Sequence, residues 1–421
     1  MSLENATRER IAAHQAERLT RLLAEILPRN RFYQAKLGSV AAVELARLPF
    51  TTKTELTADQ ERCPPYGTIL TFPPDAYTRM QQTSGTHGAP LRWLDTKESW
   101  EGMLNCWRRI FAVVGATARD RLLFAFSFGP FLGFWTAFEA AQQLGCLCLA
   151  AGGMSSAARL RMLLDHQATV LLCTPTYALH LAQVAAEQGV ELRQASVRKI
   201  IVAGEPGGSI PATRKRIEDA WNARVFDHHG MTEVGPMTIE CPEAPGGLHV
   251  LEDDYIAEVI DPATTQPVPP GQVGELVVTN LHRWGSPVIR YRTGDLVRVD
   301  PKPCPCGRTW LRLDGGILGR TDDMISIRGN NFYPSALENV LRRFTEVVEY
   351  RVEVDASAPL AELRVEIEVS PAGGLVGAEF AQRVAAAIRN ELLFRAEVIA
   401  APPGSLPRYE MKAQRVHIKK N

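Results

Sequence analysis

The sequence has no surplus of either charge: 47 Lys and Arg balance 47 Asp and Glu. Without a basic field, nucleic acid is not expected as a partner. A long apolar run is also missing. The most apolar stretch, 122–149, is broken by Gly129-Pro130, Gly133, Glu139 and Gln142-Gln143, so no membrane span or membrane partner is expected. The opening MSLENATRERIAAHQ is polar and charged, unlike a secretory signal. Cysteine is sparse, eight in 421 residues, and not evenly framed. A chain this long needs no disulfides, so a reducing, cytoplasmic setting is expected. There is no internal repeat and no low-complexity run.

What is present is an ordinary globular composition, 45% hydrophobic and 22% charged, long enough for two or three domains. Residues 5–37 carry apolar positions at helical spacing with a break at Pro28 and Asn30, and Thr52 with Glu55 fits a capping box. From 91 to 227 short apolar runs (91–94, 121–127, 146–149, 169–174, 198–203, 224–227) alternate with amphipathic helices (97–114, 135–144, 156–166, 177–188, 211–221). This predicts βα units around a parallel sheet covered on both faces. Past 240 the pattern turns antiparallel, with strands at 255–260 and 274–279 and a closing stretch at 310–320, a small barrel or ribbon beside the sheet. A last unit begins after Arg320, with strands at 324–328, 347–354, 363–369 and 397–400 and helices at 334–344 and 380–393, an α+β domain of β-α-β-β-α-β order. The fold class expected is therefore α/β: a large domain, 1–320, followed by a small α+β cap, 321–421.

The string Thr83-Ser84-Gly85-Thr86-His87-Gly88-Ala89-Pro90 cannot be helix or strand throughout. Its glycines allow close backbone approach, and its N–H groups and hydroxyls form a nest suited to phosphate oxygens. It lacks the Gly-Lys-Ser/Thr ending of a Walker loop, and a plain surface loop matches the same letters. Four further strings follow in order. They are Gly204-Glu205-Pro206, then His228-His229-Gly230-Met231-Thr232-Glu233-Val234-Gly235-Pro236, then Tyr291-Arg292-Thr293-Gly294-Asp295 leading into Gly319-Arg320-Thr321-Asp322-Asp323, and last Arg408-Tyr409-Glu410-Met411-Lys412. Together these resemble the adenylate-forming superfamily, and GNNFYPSALE with the short length looks most like its phenylacetate–CoA ligase branch.

The resemblance implies ATP-dependent conversion of a carboxylic acid to an acyl-adenylate, then transfer to the thiol of coenzyme A with release of AMP and pyrophosphate. It implies that Thr83, Ser84, Gly85, Thr86 and Gly88 hold the β- and γ-phosphates and that Gly204-Glu205-Pro206 lies against adenine. Asp227 and His228 would complete the nucleotide site. Thr232 would contact the α-phosphate and Glu233 would hold Mg²⁺, a hard cation suited to carboxylate and phosphate oxygen. Asp295 would accept the ribose hydroxyls, Arg320 would add a positive donor, and Lys412 would bridge the substrate carboxylate and the α-phosphate. Asp322 matches the hinge about which the cap would turn; read by itself it is equally a turn cap. The chain departs from the pattern at His87, where Thr is commoner, in lacking a Lys beside Pro90, and at His229, where an aromatic residue is usual.

Two groups are read from the residues themselves. Cys241, His249, Cys304 and Cys306 lie in the antiparallel region, and Cys304-Pro305-Cys306-Gly307 forms a knuckle-like turn. They would make a Cys₃His structural zinc site if the loops meet, and otherwise they are reduced thiols with a surface His. The other cysteines read as small buried apolar residues. The acyl pocket is expected from Phe126, Phe128, Gly129, Phe134, Ala203, His229, Gly230 and Pro236, apolar and flat enough for an aryl acid, although each of these also suits a core. Two alternatives stay open beside the CoA ligase: an enzyme loading a carrier-protein phosphopantetheine arm or another acceptor, and a non-catalytic nucleotide-binding module. A homodimer also stays open.

Overall fold

The structure, a computed structural model, describes residues 2–38, 44–83, 90–327, 330–355, 362–370, 377–409 and 412–419. At its centre is a five-stranded sheet, all parallel, in the spatial order Leu147–Ala150, Arg121–Phe124, Val170–Cys173, Lys199–Val202, Arg224–Asp227. Successive side chains on a strand face opposite ways, and here they enter two different cores. Leu122, Phe124, Val170, Leu172, Ile201 and Phe226 join one cluster. Leu123, Ala125, Leu171, Cys173, Ile200, Val202 and Val225 join the other. That is why these strands read as unbroken apolar runs rather than alternating ones.

Helices Lys97–Val114 and Trp135–Gln143 cover the first face, through Trp107, Phe111, Ala137 and Ala141. Helices Ser156–Asp165, Pro175–Glu187 and Pro211–Trp221 cover the second, through Leu160, Leu163, Tyr177, Leu181, Ile217 and Trp221. The first four strands in chain order each run into a helix through a loop at the carboxyl end of the sheet, and Arg224–Asp227 runs into the short strand Gly230–Met231. The helix Pro175–Glu187 starts two residues earlier than the periodicity suggests, because Pro175 takes its first position and the Thr174 hydroxyl caps Tyr177 N–H. The Thr52–Glu55 capping box is present on the helix Lys53–Arg62.

The antiparallel region is an open four-stranded sheet, Tyr255–Ile260, Val273–Asn280, Tyr291–Arg298, Gly319–Arg320. It is accompanied by a three-stranded sheet, Thr238–Glu240, Gly247–Val250, Arg312–Asp314. Of the barrel or ribbon expected, the described residues take the open form, with no closed barrel among them. Several strands were not expected from the sequence, among them Thr238–Glu240, Gly247–Val250 and Asn330–Phe332, and three others show why. Tyr77–Gln82, paired with Arg92–Thr96, is polar and mostly exposed, so it carries no burial signal. Tyr291–Arg298 does alternate buried and half-buried, but its Thr-Gly-Asp centre disguises it. Val416–Lys419 lies in the basic tail and joins Val347–Asp355 in parallel.

The C-terminal unit has its own core, built from Ile325, Leu337, Leu341, Val352, Val365, Ile367, Phe380 and Ile388. It rests on the helix Pro211–Trp221, where Ala212 N–H donates to Asn339 Oδ1 at 3.3 Å, Thr213 Oγ1 lies 3.2 Å from Glu338 Oε1, and Arg216 donates to the Val347 carbonyl at 2.9 Å.

A fully buried ion pair ties the first strands to the antiparallel sheet. Arg283 donates to both oxygens of Asp95, each at 2.6 Å, with neither side chain exposed. Removing one partner would leave the other charge buried and uncompensated. Asp95→Ala is expected to lower unfolding stability by about 3–5 kcal/mol, measured as a shift of the urea midpoint. A loss under about 1 kcal/mol would place this pair with exposed ones.

Candidate active site

The expected motifs meet because the loops that carry them leave the same edge of the parallel sheet. The aromatic turn follows Arg121–Phe124, Thr174-Pro175 follows Val170–Cys173, Ala203-Gly204-Glu205 follows Lys199–Val202, and His228-His229 follows Arg224–Asp227. Ligands of open α/β sheets bind outside these carboxyl ends.

Asp295, on Tyr291–Arg298, is 4% exposed. Its Oδ1 accepts Arg320 Nη1–H at 2.9 Å, across the paired strand Gly319–Arg320. Its Oδ2 stands 3.1 Å from His229 Nε2, but the two are not aligned as a hydrogen bond, so both atoms remain buried and unsatisfied. Burial pushes the Asp295 carboxyl up, yet His229 and Arg320 outweigh it and hold it below its ordinary value. Arg320 also donates to Asp322 Oδ1 at 2.9 Å, and Asp322 itself is exposed.

Glu233 is 3% exposed, and the contacts of its Oε1 are long: Tyr291 Oη at 3.3 Å and Lys53 Nζ at 3.9 Å. The loop that presents Glu233 is held by its backbone. Arg283 donates to the Thr232 carbonyl at 2.5 Å, and Asn280 Nδ2–H donates to the Val234 carbonyl at 2.6 Å. Gly230 and Met231 pair with Pro236 and Gly235, and a Cβ at Gly230 would lie 2.8 Å from the Gly235 carbonyl oxygen. Only glycine permits that approach.

No side-chain role in the site was expected for Lys53, or for Tyr291 within its motif. Lys53 had a signal: it is a cation at the first position of a helix, where the dipole disfavours one. A local rule broken in this way points to a tertiary reason.

Lys412 reaches the cleft from the C-terminal unit. A Cβ on Gly204, whose φ is +96°, would lie 3.7 Å from its Cε. The Lys412 side chain is open to solvent, but it stands between walls that displace much of its water. This lowers its ammonium from the ordinary value, against the pull of Glu205, Asp295 and Glu233. Glu205 does not point into open space. Its Oε1 accepts Thr176 N–H at 2.9 Å and its Oε2 accepts Ala413 N–H at 2.7 Å.

Other expected residues lie at the rim or behind it. Thr83 closes the neck of its loop, its N–H to the Leu91 carbonyl and its Oγ1 accepting Leu91 N–H, both at 3.0 Å. Ser84, Gly85, Thr86 and Gly88 lie outside the described residues. Asp227 accepts from Ser209 Oγ at 2.5 Å and from His228 N–H at 3.0 Å. The His228 ring turns inward, its Nδ1–H donating to the Thr238 carbonyl at 2.6 Å and its face 4.7 Å from Trp107, so only its backbone borders the cleft. The pocket aromatics form an edge-to-face chain, Phe128 to Phe126 at 6.3 Å, Phe126 to Phe134 at 5.2 Å and Phe134 to Trp107 at 6.0 Å. Phe126, Phe128 and Gly129 are half-buried, while Phe134 is fully in the core. Ala203 follows the fourth strand, with its N–H on the Cys173 carbonyl.

Away from the cleft, Cys241, His249, Cys304 and Cys306 converge, their ligand atoms all within 4.8 Å of one another. Cys304 Sγ is 3.4 Å from both Cys241 Sγ and Cys306 Sγ, and Cys306 Sγ is 3.4 Å from His249 Nε2. The three-stranded sheet causes this convergence by pairing Ile239 with His249 and His249 with Arg312. The His249 Nδ1–H donates to the Trp310 carbonyl at 3.1 Å, which leaves Nε2 with its lone pair free.

The sequence model of the AMP-binding enzyme family matches residues 15–282, and that of the AMP-binding enzyme C-terminal domain matches residues 329–420. The chain belongs to the AMP-binding enzyme family. It is 33% identical to a phenylacetate-coenzyme A ligase of Thermus thermophilus, over 97% of this chain and 96% of that one. It is 30% identical to a phenylacetate-coenzyme A ligase of Escherichia coli, over 98% and 96%. Among solved structures, 2-hydroxyisobutyryl-CoA ligase in the postadenylation state with 2-HIB-AMP overlays with a TM-score of 0.93 at 30% identity, covering 99% of this chain and 91% of that one. Over the same shares, that ligase with 2-HIB-AMP and CoA in the thioesterification state overlays at 0.74.

Burial of the His228 ring is expected to make this AMP-binding enzyme less stable in acid. Burial lowers its imidazole to about 4, partly offset by the Thr238 carbonyl. An unfolded His titrates near 6.5, so between those values the unfolded chain binds the extra proton and stability falls as pH drops. From pH 6.5 to 5 His228 alone is expected to cost about 2 kcal/mol. Urea titrations across that range, compared with His228→Asn, check it: the variant should show a shallower slope.

Proposed function

We propose that this chain activates an aryl acid with ATP and passes the acyl group to coenzyme A. The reading is carried by one observation: Lys412, delivered by the C-terminal unit, stands beside Gly204 within the field of Glu205, Glu233, Asp295 and Arg320. A carboxylate and a triphosphate repel each other, and an ammonium between them removes that obstacle. An acid oxygen attacks the α-phosphorus, the bond to the β-phosphate oxygen breaks, and pyrophosphate leaves. The CoA thiol then attacks the acyl carbonyl, its proton is lost, and AMP leaves.

In this reading the unsatisfied Asp295 Oδ2 accepts a ribose hydroxyl, and His229 Nε2 lies at the same edge. Thr232 meets the α-phosphate, and Thr83 anchors the loop that would hold the outer phosphates. Glu233, whose contacts are long and few, suits Mg²⁺, which neutralises phosphate charge when bound. Lys53 is placed to serve the same anions. Half-buried Phe126 and Phe128 favour a flat acyl group, in keeping with the names of the curated relatives. We divide the chain into an adenylating domain, 1–320, and a cap, 321–421, that turns about Asp322. The higher overlay with the postadenylation state than with the thioesterification state supports the docked cap as the adenylating arrangement.

Pyrophosphate exchange across aryl, alkyl and hydroxy acids tests the activity, and thioester formation with CoA against a phosphopantetheinylated carrier tests the acceptor. Aryl acids with free CoA are expected to prevail. Exchange with no acid would retire the ligase reading in favour of a binding module. Lys412→Ala should reduce exchange by about 10²–10³, the cost typical of one transition-state donor, and reduce thioester formation from added acyl-adenylate far less. Equal losses would remove Lys412 from the first step.

The Cys₃His cluster, by its donor set, suits a closed structural zinc, since tetrahedral Zn–S bonds of about 2.3 Å place sulfurs about 3.8 Å apart. Metal analysis of purified protein should find one zinc per chain. Cys304→Ser with Cys306→Ser should lose it and lower the melting temperature. Metal-free protein that melts like the zinc-replete form would rule out a structural zinc.

A further inference from the structure

The acid of the Gly204-Glu205-Pro206 turn is committed in a way the motif does not suggest. Its two oxygens take two backbone N–H groups from parts of the chain far apart in sequence. Thr176 begins the helix Pro175–Glu187 on the sheet, and Ala413 directly follows Lys412. The first contact uses the positive end of a helix, where a carboxylate is favoured. The second fixes the backbone one residue beyond the ammonium.

A second link from the C-terminal unit meets the same helix end. Arg415 Nη1 donates to Thr176 Oγ1 at 3.2 Å. Within its own unit Arg415 is held by Glu349, Nε to Oε1 at 2.6 Å, and lies over the Tyr350 ring at 5.1 Å. Thr176 thus receives the cap through its hydroxyl, and through its N–H it steadies the carboxylate that grips Ala413.

We propose that Glu205 is the docking residue for the catalytic lysine: it positions Lys412 for adenylation by holding Ala413 N–H, rather than by binding nucleotide. This rests on the ligase reading. The Ala413 bond exists only while the cap is docked, whereas the Thr176 bond lies within the large unit and persists when the cap turns. The contribution of Glu205 is therefore specific to the first half-reaction. Two N–H donors converge on the carboxylate, so Glu205→Gln, isosteric but with one acceptor oxygen, can satisfy only one of them.

The test compares pyrophosphate exchange with thioester formation from added acyl-adenylate and CoA. In Glu205→Gln and Glu205→Ala, exchange is expected to fall about tenfold to a hundredfold more than thioester formation, the range for a charge-assisted hydrogen bond. Ala413→Pro, which removes the N–H and leaves Glu205 intact, should reproduce that selective loss, and combining it with Glu205→Gln should add little. Equal loss in both half-reactions, or a loss seen only as a raised KM for ATP, overturns the proposal. Amide hydrogen exchange of the peptide spanning 408–417 gives a readout without turnover. Faster exchange in Glu205→Ala than in wild type upholds the contact, and unchanged exchange overturns it. A wild-type enzyme silent with every acid would retire the ligase reading, and the amide comparison would still decide the contact.

Discussion

Five strands hydrogen-bonded in parallel must send all their carboxyl ends to one edge, and everything in the candidate site depends on that constraint. Each strand is four residues long, and the three inner ones are buried on both faces, so their side chains are spent on two cores. Chemistry is left to the loops. Ala203-Gly204-Glu205, His228-His229 and the Phe126–Phe134 turn come from different strands, yet they share a rim because their strands run parallel in one sheet. The antiparallel sheet adds Asp295 and Arg320 as cross-strand partners. The buried Arg283–Asp95 pair fixes the Glu233 loop by its backbone.

Two buried carboxylates of the candidate site differ from the polar groups around them. Asp295 is buried and held ionised, but one of its oxygens has no aligned donor. Glu233 is buried with long contacts. Unsatisfied buried polar atoms are costly, and they persist here where a ligand of matching chemistry would satisfy them. By contrast, the polar groups just behind the rim are fully engaged: Asp227 by Ser209, the His228 ring by Thr238, Glu205 by two backbone amides. In the proposed function, this difference separates groups that would meet substrate from groups that shape the cleft.

Much of this was legible in the chain. The continuous apolar runs identified the parallel sheet, and Thr52 with Glu55 identified a helix start, because these signals are local and periodic. The polar strand Tyr77–Gln82 and the tail strand Val416–Lys419 were not legible, since their place depends on a partner strand rather than on their own burial. Lys53 was hidden for the same reason: its nearest acid, Glu233, is brought to it only by folding. The cysteine and histidine ligand types were visible at once, but their convergence required the pairing of Gly247–Val250 with both of its neighbours.

The sequence by itself determined which residues are chemically able to act and which segments are strand or helix, because residue type and periodicity are properties of short stretches. Only the tertiary structure decided how those residues are used. It turned His228 into the core, gave Glu205 to Thr176 and Ala413, and carried Lys412 from the far end of the chain to Gly204. Such assignments rest on contacts between residues as far as 208 positions apart, and no local pattern encodes which backbone N–H a carboxylate will meet.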